Sequence, residues 1–138
     1  MKKQLFALLG LGLLLATASA FAQTVALKAN IPFSFIVTGK TLPAGEYTIQ
    51  SMDVQGRVLS IRDADLQPKS MVISNRCESL NASAQTKLVF HRYGNQYFLA
   101  QIWRAGNNSG HELPKSSRET EVALDYPVQN VVLVAALR

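Results

Sequence analysis

Two apolar runs between Thr86 and Trp103 flank Tyr93-Gly94-Asn95-Gln96, and this segment restricts the fold more than any other. Gly-Asn between alternating runs is a pair that two-residue hairpin turns favour. With Gly94 and Asn95 at the tip, Tyr93 opposes Gln96, His91 opposes Phe98, Phe90 opposes Leu99 and Val89 opposes Ala100. One face of the hairpin then carries Leu88, Phe90, Tyr97, Leu99 and Trp103, and the other Val89, His91, Phe98 and Ile102. Both faces are apolar, so both need cover. A single open sheet leaves one face wet, so the pattern predicts an all-β domain, either an antiparallel β-sandwich or a small closed β-barrel.

The chain around the hairpin alternates in the same way. Strands are expected over Thr24–Ala29, Phe33–Val37, Glu46–Met52, Arg57–Arg62, Lys69–Arg76 and Val128–Leu137. Pro32 marks a bend or bulge, because it lacks a backbone donor. In Leu42-Pro43-Ala44-Gly45-Glu46-Tyr47, Pro43 fixes φ and Gly45 is expected to take a positive φ, a type II-like turn that launches a strand. Residues 77–85 and 105–110 are small and polar and read as connections. Ser116 and Glu119 have capping-box spacing, which suits one short helix near 116–124 before Pro127 ends it, although Thr120 and Val122 also suit a strand.

The first residues have a different character. Lys2 and Lys3 precede about a dozen apolar residues from Leu5 to Ala16, and small residues follow through Ala22. This is the layout of a cleavable secretory signal, a signal helix over residues 1–22 with the cut expected after Ala22. A membrane-spanning helix needs about 20 apolar residues, more than the strongly apolar stretch offers. The mature protein, residues 23–138, is then expected to be a single β domain, periplasmic or secreted, with no membrane span. A chain of this length buries enough surface for a core without metal or disulfide staples.

Charge and cysteine usage narrow the partners. Loss of Lys2 and Lys3 leaves 12 basic and 9 acidic residues, a net charge of +3 in place of +5. Lys28, Arg57, Arg76, Arg92 and Arg104 stand apart along the chain, without the basic stripe of a nucleic-acid binder. Cys77, the single cysteine, has no partner for an internal disulfide and reads as a buried or half-buried small hydrophobe, with an intermolecular disulfide or a reactive thiol as the alternative. Asn81 and Asn107 begin N-x-S sequons, which are incidental in a bacterial exported chain.

No residue pattern points to catalysis or to a cofactor. His91 reads as a side chain packed on a strand face and His111 as a solvated loop residue. A metal or hydrolytic site would require both, plus a carboxylate, to converge. Asp63 and Asp65 fit a turn in which aspartate bonds its own backbone, and Glu119 and Glu121 fit a first helical turn. No G-x-S-x-G elbow, phosphate loop or dinucleotide fingerprint occurs. Tyr93, Tyr97 and Trp103 are the candidate ligand-facing aromatics, although aromatics beside a hairpin also serve as core.

Phe33-x-Phe35, Gly39-Lys40-Thr41-Leu42-Pro43-Ala44-Gly45-Glu46-Tyr47-Thr48, Arg92-Tyr93-Gly94 with Tyr97-Phe98-Leu99-Ala100, and Glu112-Leu113-Pro114-Lys115-Ser116 occur together in this chain. In that combination it resembles a bacterial family of small exported β proteins without an assigned activity. The resemblance implies export and a β fold and carries over no site residue. The functional expectation is a non-enzymatic binding or structural module of the cell envelope, with an envelope protein, a glycan or a small molecule as partner. The alternative is a small-molecule carrier with an apolar barrel cavity, and after it a hydrolase or metal-binding protein.

Overall fold

The computed structural model describes residues 26–137. The predicted export signal and its cleavage site lie outside the described residues. Among the described residues twelve strands form two sheets that pack face to face as a sandwich, and no closed barrel forms.

The first sheet contains β1 (Ala26–Ile31), β4 (Gly45–Ser51), β5 (Val58–Arg62), β6 (Pro68–Ile73) and β12 (Ala136–Leu137), in the order β12-β1-β4-β5-β6. The second contains β7 (Asn75–Glu78), β8 (Lys87–Tyr93), β9 (Gln96–Trp103), β10 (Ser109–Glu112) and β11 (Gln129–Val134), in the order β11-β8-β9-β10-β7. β2 (Phe35–Val37) joins it by a parallel pairing of Ile36 with Phe98, and β3 (Lys40–Leu42) pairs with β2. All the other pairings are antiparallel.

The chain changes sheet at short joints. Pro32 sits at one, between β1 and β2, where its missing donor costs no ladder bond. Ser74 sits at another, and this splits the single strand expected over Lys69–Arg76 into β6 and β7. β6 is an edge strand on which Met71 and Ile73 are exposed and Val72 is buried, so one face of it meets the core. After Ser74 the alternation serves the other sheet. Two further strands lie where the sequence reads as loop, namely β3 and β10. Both are short and polar, and pairing with neighbours rather than composition makes them strands.

The hairpin tip falls as predicted, with Tyr93 opposite Gln96, His91 opposite Phe98 and Phe90 opposite Leu99. Beyond that the register slips at Val89/Phe90, so that Val89 opposes Gln101 rather than Ala100. A bulge of one residue exchanges the faces of everything past it. Ile102 therefore turns into the main core beside Leu88, and Trp103 turns to the opposite face, where its Nε1–H donates to Gln101 Oε1 at 3.0 Å. This corrects the faces read from the sequence.

Phe35, Ile61, Leu88 and Phe90 fill the space between the sheets, each at most 1% exposed. Phe33 and Phe35 meet Phe90 edge-on, with centroids at 5.0 and 5.7 Å, a favoured aromatic geometry. Gly45 belongs to the β1–β4 ladder opposite Ile31 and lacks the positive φ expected of it. The tight reversal falls earlier, at Thr38 and Gly39, with φ of 48° and 76°. Tyr47 holds the Pro43 turn instead, through a 2.6 Å bond from its hydroxyl to Pro43 O. The Asp63 turn is built as its composition suggests. Asp63 Oδ1 accepts from the backbone N–H of Gln67 and Asp65, and these bonds, with Lys69, hold its pKa below the usual carboxylate value.

The short helix forms as α1 (Ser117–Asp125), with Ser116 Oγ accepting from Glu119 N. It covers the outer face of the second sheet, where Val122 packs against Ile36, Tyr93 and Phe98. The apolar second face of the hairpin is explained by this helix. Glu119 makes only half of a capping box, because its carboxylate turns inward instead of back to Ser116.

Trp103 also sets a constraint on β10. A Cβ at Gly110 would stand 2.7 Å from the indole and 2.9 Å from Ile102 O. Gly110→Ala is expected to destabilise by about 1–3 kcal/mol, as overpacking does, with a matching fall in the denaturation midpoint.

Candidate functional site

A cleft of about 900 Å³ lies where the β4–β5 turn, the Ser74 joint, the end of β9 and the start of β10 converge. Arg57, Arg76 and Arg104 line it together with His111, Ser74 and Asn107. Among the described residues no carboxylate lines it.

Ser74 holds these segments together. Its backbone N–H donates to Arg57 O at 2.7 Å, and its hydroxyl donates to Gly56 O at 2.9 Å. His111 Nδ1 lies 3.2 Å from the same hydroxyl oxygen. The hydroxyl lies within hydrogen-bond reach of both Gly56 O and the imidazole, and so links the β4–β5 turn to β10. Gly56 closes the β4–β5 turn with φ of +70°, and a Cβ there would meet the His111 ring at 2.6 Å. Only glycine satisfies both conditions.

His111 is therefore half-buried in β10 and is not the solvated loop residue the sequence suggests. Burial pushes its pKa below the usual 6.5 and the Arg104 charge adds to this, while Asp53 and the Gly56 backbone oppose it. The sign for stability follows from linkage. The unfolded chain binds the proton more readily, so the contribution is full above pH 6.5 and is lost as the pH falls through the folded value. Denaturation midpoints measured across that range should fall on the acid side, and less so in His111→Gln.

Arg76 donates from Nη2 to Ser109 Oγ at 2.9 Å and faces Glu78 at 3.6 Å across an exposed pair of little energetic weight. Arg104 is half-buried, and its Nε–H is shielded from solvent without an acceptor among the described residues.

Ser74 is 3% exposed, and its hydroxyl also contacts Gly56 O, which fits a role in joining these segments. His91 lies elsewhere. It sits two strands from His111 in the second sheet, beneath α1, with Nδ1 3.0 Å from Glu119 Oε2. Tyr93 OH donates to the same oxygen at 3.0 Å, and burial, reinforced by Glu119, pushes the Tyr93 pKa up to about 12. The two histidines and a carboxylate are thus not brought together. Among the described residues no group of three His, Cys, Asp or Glu side chains is placed to hold a metal.

The three aromatics singled out in the sequence do not share a face. Tyr97 stacks on Phe33 at 3.9 Å on the side of the main core, and Arg92 lies over its ring at 5.4 Å. Tyr93 and Trp103 are buried on the opposite side. None of the three lines the cleft. Cys77 is half-buried in β7, and burial together with the Glu112 charge pushes its thiol pKa up, away from the thiolate that reacts. The cleft arginines were not legible as a group, because no spacing links positions 57, 76 and 104.

Comparison with protein families, with curated proteins and with solved structures yields no match. Among the described residues no helix is long and apolar enough to cross a membrane.

Proposed function

We propose that this chain is an exported, non-enzymatic binding module of the bacterial cell envelope that takes its ligand in the cleft around Ser74. The observation that carries this reading is the cleft's construction. Side chains from four separate segments meet there, and a buried hydroxyl ties three of them together. A site fixed by such bonds is preorganised, which lowers the ordering cost of binding. Its size falls in the range of small-ligand pockets, roughly 300–1,000 Å³. The side chains packed between the sheets support a surface ligand over one carried inside. Export rests on the leader-like residues 1–22.

Asn107 lines the cleft from an exposed loop, so a large side chain there blocks the cleft with little effect on the core. Labelled mature protein should be retained on isolated bacterial envelopes, and Asn107→Trp should abolish the retention while its circular dichroism spectrum stays unchanged. Equal retention of a folded Asn107→Trp variant would move the site elsewhere. No retention of either protein would remove the reading.

A further inference from the structure

Three guanidinium groups in one cleft without a carboxylate are an unusual concentration of charge for a chain whose net charge is small. Arg76 has Glu78 nearby, whereas Arg57 and Arg104 form no ion pair among the described residues. A guanidinium is a permanent cation that calls for a counter-charge or solvent. Arg104 is the more telling of the two. It is a half-buried side chain at the wall of the cleft, its Nε–H has no acceptor and its guanidinium no counter-charge among the described residues. A guanidinium presents its N–H groups in a planar fork that matches two oxygens of one carboxylate or phosphate.

We infer that the cleft is an anion site whose ligand presents a carboxylate or phosphate group to Arg104, with Arg57 as the second cation. This deepens the proposed function and rests on it. Ser109, Asn75 and Asn107 also line the cleft and supply neutral polar groups for the rest of the ligand. The ligand class is a polar molecule, or the exposed unit of an envelope polymer, that carries more than one negative charge.

Amide chemical shifts of the ¹⁵N-labelled mature protein, followed at constant ionic strength, test this with three probes: citrate, inorganic phosphate and neutral sucrose. Citrate, phosphate or both should move the amides of Gly56, Arg57, Asn107 and Gly110 saturably, and sucrose should not. The two anions separate carboxylate from phosphate recognition. Arg104→Gln should weaken the anion by at least about tenfold, the value of one charge-assisted hydrogen bond. Exposed Arg57→Gln gives the same test without touching a buried group and should weaken it about threefold, by loss of a partly screened charge. Unmoved cleft amides with both anions, or sucrose acting on the same amides alone, would overturn the inference. If envelope retention still depended on Asn107 in that case, the binding module would stand with a neutral ligand. If retention failed as well, both would fall.

Discussion

Phe90→Ala should lower the stability of the β domain by about 3–5 kcal/mol, the range for truncating a fully buried aromatic side chain. Phe90 has no solvent exposure, and its ring is the one that both Phe33 and Phe35 meet edge-on. Its strand is inside the second sheet, where Val131 and Leu99 flank it, so the backbone has little freedom to close the void. At about 4 °C per kcal/mol for a domain of this size, the melting temperature should fall by roughly 12–20 °C. Thermal denaturation followed by circular dichroism measures it. A fall below about 4 °C would mean that the sheets are not packed through this ring. Phe90→Leu, which keeps much of the volume, should recover a good part of the loss.

Glu119→Ala is the second large effect, at about 2–4 kcal/mol. The Glu119 carboxylate is 4% exposed and accepts from both His91 and Tyr93, so its removal leaves a buried phenol without a partner. It also removes the polar tie between α1 and the second sheet, against which Val122 packs by apolar contact. Glu119→Gln keeps an acceptor for Tyr93 and should cost less than half as much. The same contact predicts a response to alkali. The folded state keeps Tyr93 protonated to about pH 12, whereas an unfolded tyrosine ionises near 10. The stability this provides is full below pH 10 and drains away as the pH rises from there to about 12. Ultraviolet titration should find one of the four tyrosines ionising last. In Glu119→Ala that tyrosine should titrate earlier, though still late, because burial is the larger cause.

These two residues also show what kind of information a sequence holds. Phe90 was legible as core, because alternation along the hairpin and the turn at Gly94-Asn95 set its partner without reference to the rest of the molecule. The need for a second layer followed from the same stretch, since two apolar faces cannot both meet water. Ser116 as a helix cap was legible too, because a cap concerns only the first turn. Glu119 was placed in that turn correctly, but its burial was not visible. Whether a carboxylate faces water or a tyrosine depends on what the helix lies against, and His91 and Tyr93 are 26 or more residues away.

The split between sequence and structure runs along the same line for the whole protein. Period-two patterning by itself determined a β core, most of the strands and the hairpin tip, and the cap at Ser116 determined the start of the short helix, since each reflects contacts among near neighbours or the simple demand that apolar side chains leave water. Only the tertiary structure decided the choice of sandwich over barrel, the bulge that turns Ile102 inward and Trp103 outward, the break of one strand at Ser74, and the gathering of Arg57, Arg76 and Arg104 around one cleft. Each of these depends on where the chain crosses from one sheet to the other, and a crossing is fixed by the packing of distant segments and not by the residues that make the turn.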